Sequence, residues 1–315
     1  MLVVTDLSQA PWPTRRAVVT IGAYDGVHLG HSMVISQVRD EAARLGALSV
    51  VVTFDRHPAS VVRPQTAPKL LSNPEQKLEL LEATGIDAVV VVPFNEEQSK
   101  ETPVDFVQRI LVDALQTQMV IVGSDFHFGH MRQGNVTLLR EMGQRHDFTC
   151  EPIKLVPRGD GIDEPISSTA IRRALAGGEI DTAHRLLGRR YEVRGVVVGG
   201  DKRGRTIGFP TANVEIPNTM CLPSDGVYAG VYTRPDGSQY ACAINLGRRP
   251  TFYTNAEHSL LEAHLLDFDG DLYNETASVK FVAFLRSERQ FSGIDELKEQ
   301  LVLDIEHARV AVAQR

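Results

Sequence analysis

From residue 17 to about 157 the chain alternates short apolar runs with amphipathic stretches. Ala17–Tyr24, Leu48–Phe54, Ala88–Phe94 and Met119–Gly123 are continuous β-rich runs, the pattern of strands buried on both faces. Between them, Met33–Leu45, Glu75–Ala83 and Pro103–Leu115 carry apolar residues at helical spacing, the last with Thr102 as N-cap and Pro103 at the first helical position. Strand and helix in alternation predict an α/β unit: a Rossmann-like parallel sheet covered on both faces, with ligands at the carboxyl ends of its strands.

Two short helical segments follow, Thr169–Ala176 and Asp181–Leu187, and then the texture changes. Short strands are separated by turn signals at Gly199-Gly200, Arg203-Gly204, Pro223, Asp225-Gly226, Pro235-Asp236-Gly237 and Asp269-Gly270, which predicts a mostly β unit, an antiparallel barrel or sandwich. A final amphipathic helix is expected from Ser292, as N-cap, to Val312. The boundary falls near residue 187 and divides the chain into domains 1–187 and 188–315.

Composition sharpens this picture in three ways. A chain of 315 residues is long enough for two domains, each with its own core. A net charge of −7 argues against broad binding to nucleic acid or to an anionic membrane, although residues 185–205 hold seven Arg or Lys against two acids. That run reads as a solvated linker or as a phosphate site. Three widely spaced cysteines (Cys150, Cys221, Cys242) fit neither a disulfide framework nor a zinc knuckle, and no apolar run approaches the length of a membrane span. The amino terminus shows no basic leader ahead of its short apolar stretch, so a cytoplasmic protein with no membrane or nucleic-acid partner is expected. Whether it forms a homo-oligomer stays open.

The first run leads into Gly22-Ala23-Tyr24-Asp25-Gly26-Val27-His28-Leu29-Gly30-His31. Glycines at 22, 26 and 30 match neither G-x-G-x-x-G nor G-x-x-x-x-G-K-[ST], so spacing rejects the dinucleotide and P-loop readings. What remains is a strand-to-helix turn with two histidines three apart, beside a helix N-terminus whose unpaired N–H groups favour anions. Three readings stand. The pair could hold a metal, an arrangement echoed by His127 and His130 but without the Cys or carboxylate cluster that would complete a ligand set. It could be a structural turn, or two imidazoles donating hydrogen bonds to a phosphate as charge builds on it.

His28-Leu29-Gly30-His31 resembles the HxGH signature of adenylyl-transferring nucleotidyltransferases, and the longer run is similar to its form in bacterial FAD synthetases, with Tyr24 where Phe is usual. Thr53-Phe54-Asp55-Arg56-His57-Pro58, then Val122-Gly123-Ser124-Asp125-Phe126-His127-Phe128-Gly129, then Ile166-Ser167-Ser168-Thr169-Ala170-Ile171-Arg172 follow in the same order. Arg56 stands for a common Pro, His127 for a basic residue, and His130-Met131-Arg132-Gln133 for a Lys/Arg-rich loop. The resemblance implies that His28 and His31 stabilise adenylyl transfer. It also implies that Gly22, Asp25, Gly26, Phe54, His57 and Asp125 lie against nucleotide or flavin, with Ser168, Thr169 and Arg172 on the triphosphate.

The second half carries Gly199-Gly200-Asp201-Lys202-Arg203-Gly204-Arg205-Thr206-Ile207-Gly208-Phe209-Pro210-Thr211-Ala212-Asn213, a cationic, glycine-rich loop that allows close approach of backbone to phosphate. Thr211 and Asn213 fall on one face if the segment is extended, and their oxygens are hard ligands suited to Mg²⁺; a tight turn before a polar strand explains the same residues. In Ser259–Leu265 strand alternation sends Glu262 and His264 to one face and Leu261, Ala263 and Leu265 to the other. Glu262 is there either an exposed sheet residue or a general base for phosphoryl transfer to an alcohol.

This segment resembles riboflavin kinase, in which the Pro-Thr-Ala-Asn element binds metal and nucleotide and a later strand glutamate is the base; Asn274 stands where glycine is common. Both motif sets in this order identify the chain as resembling the bacterial bifunctional riboflavin kinase/FMN adenylyltransferase family. The resemblance implies a six-stranded kinase barrel with a terminal helix. It also implies a kinase site of Gly199, Lys202, Arg203, Gly204, Arg205, Gly208, Pro210, Thr211 and Asn213, with Thr211 and Asn213 on the metal and Glu262 as base. Riboflavin, FMN, FAD, pyrophosphate and ATP as co-substrate are the implied partners. Two other readings use the same residues: an HxGH adenylyltransferase for another phosphorylated acceptor with an accessory barrel, and a flavin-binding protein without turnover.

Overall fold

The computed structural model describes residues 1–7, 15–200, 203–247 and 258–314, with the side chains of residues 203, 205 and 258–260 left aside. The chain divides into two compact units, Met1–Ser168 and Thr169–Arg315.

In the first unit, β1 (Leu2–Val4), β2 (Ala17–Ile21), β3 (Leu48–Phe54), β4 (Ala88–Val92), β5 (Thr117–Gly123) and β8 (Thr149–Ile153) form one sheet in the order β1-β4-β3-β2-β5-β8. Every adjacent pair is parallel. Alternate residues of the same strands feed two cores. Val19, Val52, Val90 and Val122 pack with Phe106, Ile110 and Leu139 on one face. Val18, Val51, Val89 and Ile121 pack with Ile35, Val38 and Leu81 on the other. The expected two-faced burial follows, because a strand covered on both sides has no polar phase.

Four helices do the covering: α1 (Leu29–Leu45), α3 (Pro74–Glu82), α4 (Pro103–Phe106, prolonged by a wide-turned π segment, Val107–Ala114) and α5 (Val136–His146), while α2 (Ala59–Val62) is a single turn after β3. The Thr102 hydroxyl accepts from the Asp105 N–H at 3.1 Å, as the N-cap pattern predicts. Two strands stop earlier than their apolar runs. β2 ends at Ile21 because the chain turns sharply, with Tyr24 at φ 50°, and β4 ends before Pro93, which has no N–H for a ladder.

Chain order and sheet order together locate the first site. The strands β2, β3 and β4 proceed outward to one side, and β5 then returns to lie on the other side of β2. The switch point is therefore at the carboxyl ends of β2 and β5, where a crevice opens between oppositely directed connections.

The second unit is the expected barrel, and it is closed: β10 (Ala212–Pro217), β13 (His258–Leu265), β12 (Gln239–Leu246), β11 (Gly226–Thr233), β14 (Thr276–Arg286) and β9 (Glu192–Val198). Tyr228, Tyr232, Ile244, Leu261, Ala263 and Phe281 are fully buried. The outward residues Ala229, Ala243 and Ala283 are covered by α9 (Ile294–Ala313) through Ala308 and Ala311. The Arg286 guanidinium also grips Asp304 of α9 at 2.7 and 2.9 Å. Two short helices, α6 (Ser168–Ala176) and α7 (Ile180–Leu187), precede the barrel, and α7 packs on β14.

One expectation needs correcting here. Gly293, not Ser292, occupies the N-cap of α9; Ser292 instead donates its N–H and hydroxyl to Glu296 at 2.9 and 2.8 Å. Asn274 lies at φ 64°, a left-handed conformation that Asn tolerates better than most residues, which explains how it can stand where glycine is usual.

Candidate active sites

At the switch point, His28 and His31 cap the first turn of α1 reciprocally. The His31 N–H donates to His28 Nδ1 and the His28 N–H to His31 Nδ1, both at 3.3 Å. The rings stack with centroids 3.6 Å apart. Because each Nδ1 accepts a backbone proton, the bonds assign the ring hydrogen to Nε2 on both imidazoles. The outer edge of each ring is thus a donor. No acidic residue lies in the first turn of α1, so its N-terminal field is not offset from within. Two ring donors beside the N-terminal field of α1 form a site suited to an anion. Gly30 lies close under this pair, since a Cβ there would press to 3.1 Å from the His28 ring.

Asp25 braces the backbone beside the histidines. It is buried, and its carboxylate accepts from the N–H of Leu71 at 2.9 Å and of Ser72 at 3.3 Å, while Gly26 N–H donates to the Ser72 hydroxyl at 3.1 Å. Asp25 therefore ties the histidine turn to residues 71–72. Ser168 adds a second tie, donating its hydroxyl to the Asp25 carbonyl at 2.8 Å. Thr169 (exposed) and Arg172 (half-buried) follow on the first turn of α6, in the second unit.

Around the same strand ends, Phe54 packs edge-on against Phe94 at 5.3 Å, and His57 Nδ1 accepts from Ala59 N–H at 3.1 Å. Asp125 is exposed just beyond β5, with its carbonyl bonded to His127 Nδ1 at 2.8 Å. The His130 ring turns instead to the Ser99 carbonyl at 3.0 Å, so this second histidine pair gathers no ligand set. Among the described residues no group of three or more His, Cys, Asp or Glu could hold a metal.

Sequence reading missed Lys77. Its ammonium donates to the Phe54 carbonyl at 2.7 Å and lies 3.4 Å from the Thr53 hydroxyl, at the carboxyl end of β3. Burial lowers its pKa, and the nearby Asp25 and Asp55 carboxylates act against that shift. A lysine in the middle of an amphipathic helix carries no local signal of this placement.

The barrel presents a separate cluster. In the ladders, Asn213 of β10 stands opposite Glu262 of β13, and Glu262 opposite Asn245 of β12. Glu262 and His264 are half-buried while Leu261, Ala263 and Leu265 are buried, the alternation the sequence predicts. His264 Nδ1 bonds the Pro210 carbonyl at 2.7 Å, which anchors the loop entering β10. Thr211 is exposed at that entrance, and Asn213, two residues on, is buried. Gly199 and Gly200 follow β9, and Gly208, at φ 91°, precedes Phe209 and Pro210. Gly204 lies in α8 (Arg203–Thr206); Lys202 and the side chains of Arg203 and Arg205 lie outside the described residues.

Gly200 lies so close to Asn213 that a Cβ on it would overlap the carboxamide, and a Cβ on Gly204 would overlap the Phe209 carbonyl, two residues before Thr211. The Gly200 backbone thus closes on a carboxamide, and the Thr211 hydroxyl stands two residues before it, at the entrance to β10. That donor set fits Mg²⁺, which takes few protein ligands and completes its shell with phosphate and water. Gly200→Ala is expected to slow the reaction of this site by about a hundred-fold, the scale of an ångström-sized misplacement, with the first unit's reaction unchanged in the same preparation. Equal rates for variant and parent would show that the close approach has no functional weight.

The comparisons with known proteins match both units. A family model described as FAD synthetase matches residues 10–170, and one described as riboflavin kinase matches residues 187–312. A bifunctional riboflavin kinase/FMN adenylyltransferase of Pseudomonas fluorescens is 39% identical, over 95% of this chain and 94% of the relative. The chain belongs to the bifunctional riboflavin kinase/FMN adenylyltransferase family. Relatives with the same name from Bacillus subtilis (strain 168) and Escherichia coli (strain K12) are 37% and 36% identical, over 93% and 96% of the chain and 92% and 94% of their own lengths. A solved structure described as a macrolide-efflux protein from Streptococcus pneumoniae is similar over 98% of both chains, with a TM-score of 0.85 and 27% identity. Among the described residues of this chain, no helix is long and apolar enough to cross a membrane.

Within this kinase/adenylyltransferase family, Tyr24 stands where Phe is usual, and the structure accommodates the extra hydroxyl. Tyr24 Oη lies 2.7 Å from the Thr20 hydroxyl in a buried pocket, and burial pushes the phenol's pKa up. Arg56, in place of a common Pro, turns to Asp55 at 3.0 Å, and Asp55 in turn accepts from Phe94 N–H at 2.8 Å. Both departures are absorbed locally.

Proposed function

We propose that the barrel transfers the γ-phosphoryl group of ATP to riboflavin and that the sheet unit transfers the adenylyl group of a second ATP to the FMN so formed. The division of labour follows domains 1–187 and 188–315, with α6 and α7, which cluster with the barrel, joining the two chemistries in sequence. The observation that carries the reading is the pairing of Glu262 with Asn213 across β13 and β10, beside a glycine backbone that closes on Asn213. An accessory barrel has no use for a base next to a metal-binding carboxamide.

In the kinase step Glu262 takes the proton of riboflavin's terminal hydroxyl. The hydroxyl oxygen bonds to the γ-phosphorus, the bond from that phosphorus to the β–γ bridging oxygen breaks, and ADP leaves. Thr211 and Asn213 would hold Mg²⁺, which would supply charge neutralisation of the phosphates. Gly199, Lys202, Arg203, Gly204, Arg205, Gly208 and Pro210 flank the nucleotide. In the adenylyl step a phosphate oxygen of FMN bonds to the α-phosphorus, the bond to the α–β bridging oxygen breaks, and pyrophosphate leaves. His28 and His31, through Nε2–H, stabilise the charge that builds on the phosphoryl oxygens, and Ser168, Thr169 and Arg172 hold the triphosphate. Asp25 positions the turn, while Phe54, His57 and Asp125 border the flavin or nucleotide. The setting is the cytoplasm, without nucleic acid.

Incubation with riboflavin, ATP and Mg²⁺ is expected to yield FMN first and FAD after a lag, both resolved by chromatography, with FMN formation stopping when Mg²⁺ is chelated. Persistent absence of either flavin would remove the corresponding activity.

A further inference from the structure

Glu262 has two side-chain neighbours in register, and only one of them belongs to the metal side. In antiparallel ladders directly opposite residues share a face, with Cβ atoms about 4.5–5.5 Å apart. Asn213, Glu262 and Asn245 therefore form one row across β10, β13 and β12. Asn245 is on the outer face, because Ile244 and Leu246 on either side of it are buried in the barrel. Beyond it the row continues to Val227, which is opposite Asn245 on β11 and is buried, so that neighbour can satisfy none of its hydrogen-bonding capacity. Among the described residues none forms a hydrogen bond with the half-buried Asn245 carboxamide.

The order along the row has a chemical consequence. In the kinase reading, metal and γ-phosphate would lie on the Asn213 side, where Gly200 closes on the carboxamide. In-line displacement puts the attacking alcohol opposite the leaving group, with the base beside the alcohol. The alcohol must then reach Glu262 from the side away from β10. That side is β12, and its residue in the row is Asn245. Two strand spacings, about 9.5 Å, separate the ends of the row, which leaves room for a phosphoryl group and a hydroxyl between them.

We infer that Asn245 is the alcohol-holding residue of the kinase site: its Nδ2–H donates to the acceptor hydroxyl oxygen and holds that hydroxyl against Glu262. The inference rests on the kinase reading above. As the Glu262 carboxylate takes the hydroxyl proton, the lone pair that receives the Asn245 bond is not the one that attacks phosphorus, so the contact orients the nucleophile without blocking it.

The test pairs a residue deletion with a ligand deletion in the full-length protein. Asn245→Ala is expected to lower kcat/KM for riboflavin by about five- to ten-fold, the scale of one lost neutral hydrogen bond, with KM for ATP unchanged. A riboflavin analogue lacking the terminal hydroxyl should inhibit Asn245→Ala and the parent with equal Ki, because the contact is already absent from it. Asn245→Asp, which keeps the shape but removes the donor, should lose at least as much as Asn245→Ala. Thermal unfolding of the same preparations, at the parent's midpoint, reports that the barrel is folded, and FAD formation from supplied FMN reports the same of the sheet unit. Unchanged kcat/KM in Asn245→Ala, full activity in Asn245→Asp, or an analogue Ki weakened as much as riboflavin binding would each overturn the assignment. Failure of the kinase reading is separately visible, as FMN formation that survives Glu262→Gln.

Discussion

Glu262→Gln is expected to lower riboflavin phosphorylation by roughly 10²–10⁴-fold while FAD formation from supplied FMN proceeds at the parent rate. The substitution keeps the volume and one carbonyl oxygen of the side chain, so the ladders that pair Glu262 with Asn213 and Asn245 are retained. What it removes is the capacity to accept a proton when the ribityl oxygen attacks. The selectivity of the loss is the informative part. A general fault in the barrel would also lower the temperature at which that unit unfolds, whereas loss of the base leaves the unfolding transition in place and affects FMN formation alone. Separating riboflavin, FMN and FAD after feeding either flavin reads both rates at once. FMN formation at the parent rate would remove Glu262 from the mechanism.

The second large effect is expected at His28, where stability and chemistry can be separated. His28 accepts the His31 N–H as the N-cap of α1 and, in the proposed mechanism, donates from Nε2 to the reacting phosphate. Asn is among the best N-cap residues and Ala among the poorest. His28→Asn should therefore keep unfolding stability within a few tenths of a kcal/mol, yet reduce FAD formation by about 10²–10³-fold, the cost of removing one donor to developing charge. His28→Ala should show the same catalytic loss and lose about 1 kcal/mol of stability in addition. FMN formation by the barrel should be unaffected in both. If His28→Asn made FAD at the parent rate, the histidine pair would be a cap and nothing more.

The same two sites show what could be read in advance. The parallel sheet was legible because continuous apolar runs such as Ala88–Val92 have no polar phase, and only burial on both faces explains that. The placing of Glu262 and His264 on one face was equally legible, since strand alternation is a local property. The pairing of His28 with His31 was in reach too, because residues three apart meet on a helix turn. The bracing by Asp25 was not, because its carboxylate accepts from the backbone of Leu71 and Ser72, far along the chain. Lys77 was hidden for a similar reason, as its hydrogen bonds go to the end of a strand more than twenty residues earlier.

The sequence by itself determined the local geometry: which segments are strands or helices, which side chains share a face, and which two sets of motifs occur in order. Tertiary structure decided what stands beside what. Closure of the barrel set the register that puts Asn213 and Asn245 on either side of Glu262, and the return of β5 past β2 put the histidine turn at a switch point. Periodicity fixes the phase of one segment but is silent on the offset between two. That offset is settled only when whole faces are packed together, because a slip of one residue would turn every buried side chain of a strand outward.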